Sequence, residues 1–509
     1  MTHTTSANHA PDTEKDPWPA LIALCIGFFM ILLDTTIVTV ATPAIIEDLD
    51  AEVNAVVWVT SAYLLAYAVP VLITGRLGDR FGPKNLYLVG LTIFTAASLW
   101  CGLTTSVEGL IVARVVQGVG ASMMTPQTMA IITRVFPVAR RGRAMALWGA
   151  TAGVATLVGP VLGGVLVDSL GWEWIFFINV PVGLVAFGLA LWLVPRLETH
   201  AHKFDWLGVV LSGLGMFALV FGIQEGHQYD WSTITGQITV WRLIGAGVVV
   251  LALFVYWQAR NSNEPLMPLR VFRDRNFSIS GLAIAAVSFG FTAMGFPLML
   301  WAQVVRGYSP TESGLLLVPM AVMSIVLAPT VGKLSDRLHP RLLTAFGFGI
   351  LIGAILLAAL ILGADTPLWE VLVAMALIGV GSSFLWAVLA ATATRNLPPQ
   401  LAGAGSGVYN AVRQVGAVLG SAGIAVLIDD RLASQGLSAA GGEGVPAGHL
   451  PAAVADSFST AMSQSLLLVP AVLLLGFLAV LLFERPRHFA APAAPATPPS
   501  TAEPAHALD

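Results

Sequence analysis

Asp34 sits in the stretch LLDTTIVTVATP, Leu32 to Pro43, inside a run that is otherwise apolar from Leu21 to Val40. A charged side chain at membrane depth costs about 3 kcal/mol even on lenient scales, so such a residue marks function by default. The chemistry open to a lone carboxylate there is to take up and release a proton. The plainer alternative is structural glue, with Asp34 satisfied by Thr35, Thr36 or a neighbouring helix. A second ionisable group, Arg114, lies in another apolar run, on one helical face with Gln117, Gly118 and Ala121. Arginine does not release its proton, so its chemistry would be to bind the charged form of a carboxylate or set its pKa. Asp34 is the obvious partner; snorkelling or pairing with backbone carbonyls is the structural alternative.

These residues need elements that cross a membrane. The 509 residues are 56% hydrophobic and 11% charged, with mean hydropathy +0.80, far more apolar than a soluble domain. Runs of about 20 apolar residues, the length that spans a bilayer, number fourteen: 20–42, 54–75, 85–104, 107–128, 143–166, 173–194, 205–224, 237–257, 277–302, 312–331, 342–362, 369–391, 404–427 and 464–483. Alternate loops and both tails hold 20 of the 25 Lys and Arg residues. The positive-inside rule therefore predicts a multi-pass protein of the cell membrane with both termini cytoplasmic. Trp18, Trp58, Trp172, Trp231, Trp241 and Trp369 fall near span ends, as interfacial anchors do. The polar first 17 residues carry no cleavage pattern, so the first span is expected to be retained. Cys25 and Cys101 lie in apolar runs with no partners for a disulfide framework or a metal site.

The segment Gly75-Arg76-Leu77-Gly78-Asp79-Arg80-Phe81-Gly82-Pro83-Lys84 recurs in grammar as Gly332-Lys333-Leu334-Ser335-Asp336-Arg337-Leu338-His339-Pro340-Arg341. Two copies, each after the second helix of a six-helix set, imply two parallel halves with two helices inserted between them. The expected organisation is a cytoplasmic tail (1–17), a six-helix bundle (18–198), two central helices (199–262), a second six-helix bundle (263–484) with a long mobile external loop (428–463), and a disordered tail (485–509). In each copy glycine permits close helix approach, aspartate can cap a facing helix N-terminus, and basic residues hold the cytoplasmic side. Gly75, Asp79, Arg80, Gly82, Lys84, Asp336 and Arg337 are therefore candidates for a conformational latch favouring an outward-open state. Asp336, in the more degenerate copy, is expected to matter less than Asp79.

On these motifs the chain resembles the major facilitator superfamily, specifically its fourteen-helix drug/proton antiporter branch, over roughly residues 18–485. Pro83 departs from the usual basic residue, and Thr39 and Thr42 from the commoner Asn and Leu of the first-helix motif. Arg114 to Ala121 is similar to the family stretch whose buried arginine takes part in proton transfer. Gly149 and Gly153, then Gly159, Pro160, Gly163 and Gly164, resemble the antiporter motif of span five. Small residues there allow close helix packing, and Pro160 removes a helical hydrogen bond, which suits a hinge. Ser406, Asn410, Arg413, Gly416 and Gly420 resemble a stretch of span thirteen, with Arg413 open between gating or substrate contact and structural pairing. Asp205, before span seven, reads as an N-cap.

The function expected is proton-coupled export of drug-like, amphipathic or cationic compounds, with multidrug or antibiotic resistance as the consequence. A dedicated exporter or flippase of one metabolite or lipid is the alternative. Candidate cavity residues are Trp58, Tyr63, Met123, Met124, Gln127, Trp148, Phe384, Trp386, Tyr409, Asn410 and Arg413. Protons, a small-molecule substrate and lipid are the expected partners of a monomer, without cofactor, metal, nucleic acid or nucleotide. There is no Gly-Lys-Ser/Thr phosphate loop. All nine histidines fall in loops or tails, which argues against an intramembrane enzyme.

Overall fold

In hydrocarbon a backbone has only itself to hydrogen-bond to, and apolar runs of this length wind into helices. The computed structural model describes residues 16–51, 53–137, 140–197, 199, 205–224, 226, 229, 231–261, 265–398, 401–437 and 451–484. In chain order the helices are α1 (Trp18–Asp48), α2 (Val53–Ala68), α3 (Val71–Phe81), α4 (Pro83–Leu103), α5 (Val107–Val135), α6 (Arg141–Leu170), α7 (Trp174–Phe177), α8 (Asn179–Leu193), α9 (Trp206–Gln224), α10 (Val240–Arg260), α11 (Arg275–Leu300), α12 (Pro310–Leu315), α13 (Val318–Arg337), α14 (Pro340–Ile361), α15 (Leu368–Ser383), α16 (Trp386–Arg395), α17 (Ala402–Ser434), α18 (Ala452–Leu466) and α19 (Leu468–Val480). A short antiparallel hairpin, β1 (Thr233–Thr235) and β2 (Ile238–Thr239), joins α9 to α10. Among the described residues twelve helices are long and apolar enough to cross a membrane, or thirteen if the bent pair α2 and α3, at 47° to each other, forms one span.

Two boundaries differ from the sequence expectation. The segment from Gly75 to Phe81 is the last part of α3, and only Gly82 breaks the helix before α4. Gly82 has φ +90°, a conformation that side chains with a Cβ rarely adopt, so it can turn the chain in a single residue. The long external loop expected at 428–463 is helical at both of its ends, because α17 continues to Ser434 and α18 begins at Ala452. Phe458, Ala461 and Met462 of α18 are buried, so this segment packs where its small-residue composition had suggested mobility. Residues 438–450, and both tails at 1–15 and 485–509, lie outside the described residues.

Packing divides the helices into two groups. In the first, α1 lies against α6 and α8, and α5 against α2 and α4. In the second, α11 lies against α17 and α19, and α15 against α13 and α14. The α9–α10 pair packs on itself and touches α2 and α17. Between the groups, α3 meets α17 and α6 meets α13 and α16, which makes the seam that positions the site.

Candidate functional site

Asp34, on α1, is completely buried and faces α5 and α8. Arg114 Nη1 donates to its Oδ2 at 2.5 Å, Gln117 Nε2 to its Oδ1 at 2.8 Å, and Asn179 Nδ2 to the same oxygen at 3.4 Å. Arg114 and Gln117 meet the acid together because they are one turn apart on α5. Arg114 is itself fully buried, donates from Nε to the Val59 carbonyl at 3.1 Å, and lies 4.0 Å from the Tyr63 ring centroid. The Asn179 amide also donates to Ser98 Oγ at 3.0 Å. Among the described residues, every side chain that hydrogen-bonds to the carboxylate does so as a donor. Breaking such a buried pair by removing one partner costs about 3–5 kcal/mol, because the survivor stays charged in a dry site. Threonine glue is not the arrangement found: Thr35 and Thr36 turn their hydroxyls to Leu32 and Leu33 carbonyls of their own helix. Sequence reasoning missed Ser98 and Asn179, neutral residues whose spacing carries no signal.

The duplicated segments form two crossed helix caps, the contacts expected of a latch, at the end of the bundle that bears the basic loops. Asp79 of α3 accepts from the Gly403 and Ala404 amides, 3.1 and 2.9 Å away, in the first turn of α17. Asp336 of α13 accepts from the Gly142 amide at 2.9 Å, in the first turn of α6. Each carboxylate thus caps a helix of the opposite group, where free amides and the helix dipole favour a negative charge. Glycine is needed at the approach: a Cβ on Gly75 would lie 2.8 Å from the Gly403 carbonyl oxygen and from Gly407 Cα, and one on Gly332 2.9 Å from Arg143 Cα.

The cations nearest these aspartates come mostly from outside the repeats. Arg134 of α5 pairs with Asp79 at 2.6 Å, and Arg76 reaches it only at 3.9 Å. Arg395 of α16 lies 3.7 Å and Arg143 of α6 3.4 Å from Asp336, the latter without hydrogen-bond alignment. Lys84 instead donates to the Leu191 and Val194 carbonyls, capping the end of α8. Arg80 lies beside its neighbour Phe81, and Arg337 is exposed. A readable signal did exist: Thr133-Arg134 and Thr394-Arg395 each precede the capped glycine, Gly142 and Gly403, by the same eight residues from the arginine.

The glycines of the span-five motif meet four different helices. Gly153 faces Ser324 of α13 and Gly164 faces Thr311 of α12, while Gly142, unanticipated, faces Asp336 and Ser335. These three are eleven residues apart, close to three helical turns, and make one stripe of small residues along the seam. Gly149 lies against Trp386 and Ala387 of α16, and Gly159 against Thr36 of α1. Gly163 is buried, and α6 continues through Pro160 without a break in the helix.

The cavity candidates do not gather in one place. Tyr63 stacks under Arg114. Gln127 donates to the Thr74 carbonyl at 2.8 Å and presses on Gly78, within the α3–α5 contact. Met123 and Met124 pack on Gly90 of α4, Trp58 on Phe221 of α9, and Phe384 on Phe346 of α14. Trp148 stacks on Phe28 with ring centroids 4.7 Å apart, and Trp386 meets Phe291 edge-on. Asn410 and Arg413 stand at the seam: Arg413 donates to Tyr67 Oη of α2 at 3.1 Å and to Asn410 Oδ1 at 3.3 Å.

Asp205 is more than an N-cap. It accepts from the Gly208 amide at 2.9 Å as a cap does, and also from Trp257 Nε1 at 2.9 Å, Gln258 Nε2 at 2.7 Å and the Leu266 amide at 3.3 Å. It therefore ties α9, α10 and the segment leading to α11 at one point. Burial works against its charge, but these four donors outweigh burial and hold the carboxyl below its ordinary range.

A helical membrane protein with two groups of helices latched crosswise at one end, and a buried ion pair inside one group, has the build of a small-molecule transporter. The sequence profile of the Major Facilitator Superfamily matches residues 24–421, and the chain belongs to that superfamily. An uncharacterised MFS-type transporter of Mycobacterium tuberculosis is 52% identical over 473 residues, covering 92% of this chain and 81% of that protein. The tetracenomycin C resistance and export protein of Streptomyces glaucescens is 36% identical over 428 residues, covering 82% and 77%. The crystal structure of the human organic anion transporter MFSD10 (TETRAN) shares the fold, with TM-score 0.62 at 14% identity over 92% of this chain and 100% of that one.

Proposed function

We propose that this protein is a proton-coupled exporter of drug-like amphipathic compounds in the plasma membrane, acting as a monomer with both termini cytoplasmic. Counting the 30-residue α6 as a span gives fourteen, arranged as two six-helix bundles (18–198 and 263–484) around two inserted helices (199–262). Kinship with a resistance and export protein supports the direction of transport. The observation that carries coupling is the fully buried Asp34–Arg114 pair, an arrangement whose desolvation favours retention for function rather than stability. With the Asp79 and Asp336 latches closed, the cytoplasmic end is shut. Protonation of Asp34 from outside would dissolve the pair. Arg114 and Gln117 would then lose their anionic partner, and their rearrangement at the α1–α5 contact would be the event that biases the seam toward opening inward. Re-forming the pair would expel the proton to the cytoplasm.

Proteoliposomes with an imposed pH gradient test this. Asp34→Asn should bind drug but lose gradient-driven efflux, and drug addition should no longer release protons from the purified variant. If Asp34→Asn pumps with the wild-type pH dependence, the proton takes another route.

A further inference from the structure

Arg413 stands eleven residues into α17, roughly 16 Å along its axis at the usual helical rise, near the middle of a hydrocarbon core. It is half-buried, and its partners are neutral: the Tyr67 hydroxyl and the Asn410 side-chain carbonyl. Tyr67 in turn lies 3.0 Å from the Thr125 hydroxyl, whose own proton goes to the Ala121 carbonyl, so the whole chain is uncharged. No carboxylate pairs with Arg413 among the described residues. Among the described residues the acids with side chains below a tenth exposure are Asp34, Asp79, Asp205 and Asp336, and each faces the donors described above rather than Arg413. Away from both ends of the spans, the charged residues are one acid, Asp34, and two arginines, Arg114 and Arg413, an excess of one positive charge. The buried polar groups without a hydrogen-bond partner among the described residues include Trp148 Nε1 and Tyr409 Oη, both of which can donate. Arg413 bridges α17 to α2, across the seam that must open for any cargo to pass.

We propose that Arg413 is the recognition cation of the substrate site and that the preferred cargo is an amphipathic organic anion, with a carboxylate, sulfonate or acidic phenolate oxygen to accept from it. This rests on the export reading above and narrows it, because a lipophilic cation would meet an uncompensated like charge at mid-depth. A charge consequence follows. One proton entering against one monoanion leaving moves two positive charges inward, so a potential negative at the cytoplasmic face accelerates export. One proton against one monocation moves none.

The test uses the full-length protein in proteoliposomes with a pH gradient and three probes: the monoanion anilinonaphthalene sulfonate, the monocation ethidium, and neutral Nile red. Wild type should move the anion fastest, and faster still with the cytoplasmic face negative. Arg413→Gln should weaken anion transport about tenfold or more, the value of one charge-assisted hydrogen bond, and Arg413→Lys should restore most of it. Detergent melting curves identify variants that fail to fold, and the wild-type ranking of probes stands whether or not they fold. Ethidium or Nile red transport at or above that of the anion overturns the proposal while leaving export intact, as does an anion preference unchanged in a folded Arg413→Gln. If wild type moves none of the three, the export reading falls, and this proposal with it.

Discussion

Asp79→Asn isolates the energy of one latch. The native carboxylate accepts two amides from the opposite group, at Gly403 and Ala404. Its bond to Arg134 stays within its own group and survives opening. A hydrogen bond to a charged acceptor contributes about 1.5–3 kcal/mol, and asparagine offers one neutral oxygen in place of two anionic ones, so the closed state should lose about 3 kcal/mol. That is about a hundredfold in the closed-to-open ratio. Asp336→Asn keeps an oxygen for the one such bond, from Gly142, but makes it neutral, and loses across the seam an ion pair with Arg143 whose side chain is 40% exposed and contributes little, while the Arg395 contact lies within its own group. The closed state should lose about 1 kcal/mol, less than for Asp79. Spin labels on the first turns of α6 and α17 and the last turns of α3 and α13 would report the distance across each seam. Asp79→Asn should populate a longer distance at the basic end and slow the return step of transport. Unchanged distance distributions in a folded Asp79→Asn would refute the latch.

Asp205→Asn should lower stability at neutral pH by about 1–3 kcal/mol through its weakened hydrogen bonds. Because the folded carboxyl titrates below its unfolded value, its contribution is present above about pH 4 and fades as pH falls through the folded pKa. Melting curves of wild type and variant should therefore converge in acid, and a constant gap would remove the charge from the explanation. Gly75→Val should prop the α3–α17 seam open and cut gradient-driven dye efflux severely, since backbone lies 2.8 Å from the new Cβ. Gly153→Ala should transport normally, because its Cβ would meet Ser324 Cβ at an ordinary 3.4 Å; a crippled Gly153→Ala would mean the seam tightens there during the cycle.

Hydropathy and charge along the chain sufficed to make this a helical membrane protein, because a backbone in lipid has no other way to satisfy its amides. The repeat at Gly75 and Gly332 likewise pointed to paired halves and to aspartates that cap facing helices. Asp34 and Arg114 were legible as singular charges in apolar runs, but they are 80 residues apart in sequence, and only packing shows the 2.5 Å contact. Asn179, Ser98, Arg134 and Arg395 acquire meaning from the helices beside them, since a neutral amide or a helix-end arginine looks ordinary in one dimension. Lys84 and Gln127 show the converse: polar residues in suggestive positions that tertiary contacts commit to helix ends and backbone carbonyls within one group. Composition placed mobility at 428–463, but α18 is held by its neighbours, and the burial of a short apolar face is decided by what lies opposite it. Charge type was in the sequence throughout; which charges neutralise one another, and which one is left over at mid-membrane, was decided by the fold.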